Sequence, residues 1–173
     1  AAMTAADHRS KARENWIKSG LVGLGARLQG DHRLQDLGPM ALEYLAGWLG
    51  AKIDAMYVTE GHGLYQRMGG YALPDGSPRG QVVKGEGLVG QAAQSRQLLH
   101  VQDVPKDYLP VVSGTGSSAP AEIVLVPSVH NGVAHAVIEL GFFRKVNASD
   151  LDFLSRASEQ LALAIRSAID RSK

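Results

Sequence analysis

The chain has 173 residues, 45% hydrophobic and 20% charged, with a formal net charge of +1 and a pI near 8.3. This length suits one domain with a sizeable core, and so balanced a charge argues against a nucleic-acid partner. Cysteine is absent, which excludes disulfides, thiolate catalysis and sulfur-ligated metals.

Membrane-spanning and signal-peptide segments are also absent from the sequence. No apolar run is long enough to cross a bilayer, and the N-terminus lacks the apolar core of a signal peptide. We therefore expect a cytoplasmic domain without direct membrane contact.

The first part of the chain predicts two helices and then two strands. Residues 6–28 place apolar side chains on one helical stripe, and residues 34–49 form a second helix in which Pro39 marks a kink or the true start. "KIDAMYVTE" and "GLYQRMGGYA" alternate like strands around a "GHG" turn. Residues 1–15 are interpreted as a leading segment, either a cloning remnant or a helix entering from a longer chain, and residues 16–173 as the domain.

A complete G-x-G-x-x-G motif lies in "VVKGEGLVGQ", and Asp103 follows Gly85 by about 18 residues. This spacing is typical of a dinucleotide-binding turn. However, the preceding "RGQVVK" is not a buried apolar strand, and Glu86 would bring a negative charge beside a pyrophosphate. We predict instead that Gly85 and Gly87 allow a tight entry into a helix and that Gly90 lets this helix approach a neighbour.

The second part of the chain predicts a short helix, the strand "LLHV", an irregular segment "PKDYLPVVSGTGSSAP" and a long hairpin. Asn131-Gly132 forms its two-residue turn, and a last helix begins after it with Ser149 as N-cap. That helix carries a heptad pattern that continues to the end of the chain, so its apolar side chains pair with another helix or lie on the sheet. Its members are Leu151, Leu154, Ser158, Leu161, Ile165, Ala168 and Ser172.

Four segments in this order, "GEGLVGQAAQSRQLLHVQDVP", "DYLPVVSGTG", "IVLVPSV" and "GVAHAVIELGFF", resemble the GAF domains of bacterial sensor histidine kinases, hybrid kinases included. The resemblance covers Trp16 to Arg171. It implies an α+β fold whose central antiparallel sheet has the N- and C-terminal helices on one face and a small-molecule pocket under short helices and loops on the other.

The same resemblance implies a sensory module that is not an enzyme. The signal would pass through a homodimer of the terminal helices to a downstream kinase domain in a parent protein that can be membrane-anchored. GAF-fold reductases of free methionine sulfoxide and bilin-attaching GAF domains use cysteines, which this chain lacks. The NKFDE-type signature of cyclic-nucleotide-binding members is absent as well, so no cofactor or ligand is identified.

The hairpin register predicts which side chains face the pocket. Regular pairing from the turn puts Ser128, His135 and Glu139 among valines on one face, which suits a pocket floor because a few fixed polar groups orient a ligand. The candidate ligand-binding residues are Glu139, His135, Ser128, Val126 and Val137 of the hairpin and Tyr108, Ser113 and Ser117 of the irregular segment.

Each candidate has a purely structural alternative. Glu139 could bind backbone amides of a covering loop, His135 could be a satisfied core histidine, and the loop residues could bond within their own loop. His130 and His135 share a face, but Glu139 lies too far along the strand to complete a metal site, so no metal site is predicted. A ligand-binding sensor, a ligand-free dimerisation or relay module, and an enzyme of unrecognised chemistry all remain open.

Overall fold

The computed structural model describes residues 4–59, 61–71, 80–105, 108, 111–113 and 116–171. Four helices are assigned in these ranges, and they are α1 (Ala5–Leu28), α2 (Leu34–Leu49), α3 (Gly87–Ser95) and α4 (Ala148–Arg171). The strands are β1 (Ile53–Thr59), β2 (Leu64–Tyr71), β3 (Gln81–Val83), β4 (Leu99–Val101), β5 (Val111–Ser113), β6 (Gly116–Ser118), β7 (Glu122–His130) and β8 (Val133–Phe142).

Six of the strands form one antiparallel sheet in the order β3-β2-β1-β8-β7-β4. The strands β5 and β6 pair separately as a small hairpin within the segment that the sequence analysis predicted to be irregular. Residues 53–59 of β1 are all buried, because the central strands are covered on both faces.

Two apolar clusters cover the two faces of the sheet. One cluster joins α1, α2 and α4 to side chains such as Met56, Val126 and Ile138, and we call this side the helix face. The other joins α3 to Ala55, Leu125 and others, and we call this side the pocket face. The predicted α+β arrangement, with the terminal helices together on one face, is confirmed.

The glycines of α1 admit aromatic rings from its neighbours, so they serve packing where the sequence alone suggested a weakened helix. A Cβ at Gly20 would lie 2.5 Å from Nε1 of Trp48, and one at Gly23 would lie 2.1 Å from the Tyr44 hydroxyl. That hydroxyl donates to the Gly20 carbonyl oxygen at 2.8 Å. The two helices are therefore held at a close approach that larger residues would prevent.

The helices α1 and α4 run in the same direction across the sheet. Arg156 donates to Glu14 near the beginning of both helices, at 2.6 Å, and Arg171 approaches Asp31 just after the end of α1, at 3.7 Å. The start of α1 and the end of α4 consequently lie at opposite ends of the domain.

The beginning of α4 differs from the prediction by two residues. Asn147, not Ser149, is the cap, because its side chain accepts from the Asp150 amide while Asp150 accepts from the Asn147 amide, both at 2.9 Å. The start of α2 at Leu34 agrees with the predicted range, and Pro39 lies inside the helix.

The heptad positions of α4 mostly pack against the domain itself. Leu161 and Ile165, for which the heptad pattern left a dimer interface and the sheet open, are fully buried in the cluster on the helix face. Among the described residues, none of the helices is both long and apolar enough to cross a bilayer.

Candidate functional site on the sheet face opposite the terminal helices

The pocket face has an apolar floor with two tyrosines. Ile53, Ala55 and Tyr57 point to it from β1, and Val137 points to it from β8. Tyr65 donates its hydroxyl to the Ala134 carbonyl oxygen at 2.6 Å, and burial raises the pKa of this phenol. Both tyrosines are almost completely buried, with 1% of Tyr57 and 3% of Tyr65 exposed.

Glu139 is the carboxylate of this face, and it has no solvent exposure. It lies opposite Ala55 on one side and Leu125 on the other, so its neighbours across the sheet are small or apolar. Its Oε2 accepts a hydrogen bond from the Tyr108 hydroxyl at 2.8 Å. A buried carboxylate needs such donors, because removing it from water without them is costly.

Tyr108 is a partly buried residue that packs on the pocket face. Its amide donates to the Pro105 carbonyl oxygen at 3.0 Å. The structure therefore brings together Glu139, Val137 and Tyr108 of the predicted site residues, all on the pocket face.

Three predicted site residues lie on the other face, and the predicted hairpin register is wrong beyond the turn. His130 pairs with Val133 and Val129 with Ala134 as expected, but Ser128 pairs with Ala136, so His135 is an extra residue in a β-bulge. A bulge reverses the alternation on the strand that carries it. Val126 and Ser128 therefore face the helices together with Ala136 and Ile138, and His135 faces α4.

Ser113 and Ser117 lie in the backbone pairing of β5 and β6, but their side chains are outside the described part of the structure. Ser128 is fully buried on the helix face, and its Oγ has no hydrogen-bond partner within the described residues. Its position under the helices removes it from the candidate pocket.

Arg67 is a pocket-face residue that the sequence analysis did not identify. It lies directly opposite Tyr57, just before a bulge at Met68, and the two side chains therefore share a face. Its side chain is partly buried, and within the described residues its Nη1 atom has no hydrogen-bond partner. A charged residue within a predicted strand was the available signal in the sequence.

The glycine motif forms a turn from an antiparallel strand into a helix, whereas a dinucleotide-binding turn follows a strand of a parallel sheet. Gly85 and Gly87 have φ values of 89° and 65°, which favour glycine, and Gly90 approaches the Val83 carbonyl oxygen. The preceding β3 is a short, largely exposed strand antiparallel to β2. The backbone roles that we predicted for the three glycines are confirmed.

Other features of the described residues lie away from the pocket face. A cleft of about 470 Å³ opens beside the last turns of α1 and α4, with Leu28, Leu37 and Leu163 among its lining residues. Within the described part of the chain, no group of three or more His, Asp or Glu side chains is placed to hold a metal ion.

Comparison with known proteins identifies the family. The model of the GAF domain family matches residues 31–166, which is most of the chain. The chain therefore belongs to the GAF domain family, whose members are typical of signalling proteins. A search of curated proteins finds no match to the sequence.

Solved structures with low sequence identity share the fold. A GAF domain from a phosphoenolpyruvate-protein phosphotransferase of Coxiella burnetii is 15% identical, with a TM-score of 0.74 over 90% of this chain and 96% of that one. A putative GAF sensor protein from Burkholderia vietnamiensis is 18% identical, with a TM-score of 0.70 over 92% and 94%. A free methionine-R-sulfoxide reductase from Neisseria meningitidis, solved with its substrate, is 14% identical, with a TM-score of 0.71 over 90% and 91%.

Proposed function

We propose that this GAF domain is a cytoplasmic, non-catalytic sensory module that binds a small molecule on its pocket face and relays the signal through its terminal helices to a histidine kinase. The observation that carries the proposal is Glu139, a fully buried carboxylate on an apolar face, which accepts a hydrogen bond from Tyr108. Fixed polar groups in apolar surroundings are what a ligand site requires.

The chemistry of this face favours a ligand that combines a hydrogen-bond donor with a flat or apolar body. Glu139 accepts a hydrogen bond, and Tyr57 and Tyr65 belong to the apolar cluster of the same face. Arg67 adds a cation on the same face, next to Tyr57, which suits an anionic or carbonyl group at the other end of the ligand.

The lack of cysteine supports a non-catalytic role, because the thiol chemistry of GAF-fold reductases has no nucleophile here. Because a methionine sulfoxide reductase shares this fold, an enzyme is the second possibility. The third possibility is a ligand-free relay, in which the hydrogen bond from Tyr108 to Glu139 has a purely structural role.

Native mass spectrometry of freshly purified protein distinguishes these possibilities. A sensor is expected to carry a retained small molecule or to acquire one from a metabolite library. Glu139→Gln then weakens that binding by roughly 1–3 kcal/mol, because a ligand donor loses its charged acceptor. Glu159→Gln, a change at an exposed position of α4, is the matched control and leaves binding unchanged.

A folded wild type that binds nothing in the library, with Glu139→Gln changing only its stability, would favour the ligand-free relay. Turnover of a bound compound would instead establish an enzyme.

The relay itself requires pairing of the terminal helices of two copies, and the exposed apolar residues indicate where. Val22 of α1 is 73% exposed and Leu163 of α4 is 63% exposed, whereas Leu161 and Ile165 are buried in the domain. We infer that Val22 and Leu163, not the buried heptad positions, line the interface of a parallel homodimer.

Sedimentation of variants tests this interface. Leu163→Asp is expected to shift the protein toward monomer without loss of helical signal, because its side chain is exposed. Phe143→Asp, an equally drastic change at another exposed apolar position, serves as the control. A wild type that remains monomeric at high concentration would contradict the inferred homodimer.

A further inference from the structure

The β-bulge in β8 brings two histidines together under the last helix. His135 is the extra residue of the bulge, so it and Ala136 both lie on the helix face, opposite Ser128. The His135 and His130 rings have centroids 6.3 Å apart, and we call these two residues the histidine pair.

The C-terminal half of α4 contributes the charges that face this pair. Arg166 and Asp170 act electrostatically on His135, and they form an ion pair with each other at 3.2 Å, four residues apart on the helix. The strand β1 pairs with β8 near this end through Val58, opposite Ala136, and Val58 and Thr59 carry no charge. Both histidines are partly buried. A proton added to the pair therefore places positive charge beside a second imidazole and a guanidinium.

We propose that the histidine pair is an acid-responsive contact, in which protonation of His135 releases the C-terminal turns of α4 from the β7–β8 hairpin. The neutral imidazole packs under α4, whereas the imidazolium is repelled by Arg166 and His130 and is poorly solvated there. Moving the last turns of α4 outward lets water reach the imidazolium. This response needs no bound ligand, and it acts on a helix that the proposed relay uses.

The pKa of His135 agrees with this geometry. Burial is the largest cause that lowers this pKa, and the charges of Arg166 and His130 lower it further. A backbone hydrogen bond with His130 and the charge of Asp170 act in the opposite direction. A histidine whose folded pKa is depressed stabilises the packed state above its unfolded pKa of about 6.5. This stabilisation decreases as the pH falls below about 6.5 and reaches its lower limit beneath the depressed pKa.

Amide hydrogen exchange of residues 163–171 tests the proposal between about pH 7.5 and pH 5, above the range in which carboxylates titrate. After correction for intrinsic exchange, the protection factors of wild type are expected to fall by up to about tenfold per pH unit below about pH 6.5, since opening takes up one proton. His135→Gln removes this dependence. His8→Gln, at an exposed position of α1, retains it.

A second measurement keeps the proposal testable if His135→Gln fails to fold. In an NMR titration of the His135 ring, Arg166→Gln is expected to raise the midpoint and Asp170→Asn to lower it, because the two side chains act in opposite senses. Protection that is independent of pH in wild type, an unchanged dependence in His135→Gln, or shifts of the same sign in the two α4 variants would each overturn the proposal.

Discussion

At Gly90 the helix α3 comes so close to β3 that a Cβ would lie 2.3 Å from the Val83 carbonyl oxygen. The amide of Gly85 donates to the Gly90 carbonyl oxygen in the same turn, so the backbone there is held from both sides. Because the obstacle is backbone and not a movable side chain, the position admits only glycine without a local shift. The last glycine of the motif therefore permits the close packing of α3 against β3.

Gly90→Ala is expected to destabilise the domain by about 1–3 kcal/mol, the usual effect of overpacking. Gly47→Ala is the matched control, because a Cβ at this α2 position meets nothing within 4 Å. It is expected to stabilise the helix by up to about 1 kcal/mol. Urea unfolding of both variants measures the difference, and equal effects would contradict the role of Gly90.

Among the secondary-structure elements, α4 shows how local hydrogen bonds determine a boundary. Asn147 and Asp150 cap the helix reciprocally, and Asp150 also accepts from Arg144 at 2.7 Å. Arg144 in turn donates to the Leu49 carbonyl oxygen at the end of α2, at 2.6 Å. The cap therefore joins the start of one helix to the end of another.

Asn147→Ala is expected to lower the free energy of unfolding by about 1 kcal/mol, since the Asp150 amide loses its acceptor. Ser149→Ala, at the cap that the sequence pattern favoured, is expected to change it by less than about 0.5 kcal/mol. Thermal and urea unfolding compare the two variants. A larger loss of unfolding free energy for Ser149→Ala than for Asn147→Ala would show that Ser149 is the cap.

On the scale of the whole molecule, Glu122 joins three elements that are distant in the chain. Its carboxylate binds His100 of β4 at 2.5 Å and accepts from the Val146 amide, just before α4, at 3.1 Å. Burial alone would raise the pKa of Glu122, but the hydrogen bonds from His100 and Val146 outweigh it and hold the pKa below its usual value. The edge of the sheet is thereby tied to the start of the last helix.

A depressed folded pKa means that Glu122 stabilises the domain above its unfolded pKa of about 4.3 and loses this effect as the pH falls through the folded value. Glu122→Gln is therefore expected to be more destabilising at pH 7 than at about pH 3.5. Glu43→Gln, exposed on α2, is the control and shows no such difference. A destabilisation that is the same at both pH values would refute the ionic role.

The sequence by itself determined the helices, the main strands, the Asn131-Gly132 turn and the family, because periodicity, turn residues and motif order are local properties of the chain. It also indicated Glu139 and Val137 as pocket-face residues. The register counted from the turn gave these two residues the correct face, although it gave them the wrong partners in β7.

The tertiary structure decided the rest. One extra residue in β8 moved His135, Val126 and Ser128 to the helix face, and strand periodicity carries no signal for such a bulge. The heptad of α4 could serve a partner helix or the sheet, and the packing of Leu161 and Ile165 settled it, since an apolar stripe does not specify what covers it. Arg67 became a candidate for the site only through its pairing with Tyr57, because the face that a strand residue occupies depends on the register of its neighbours.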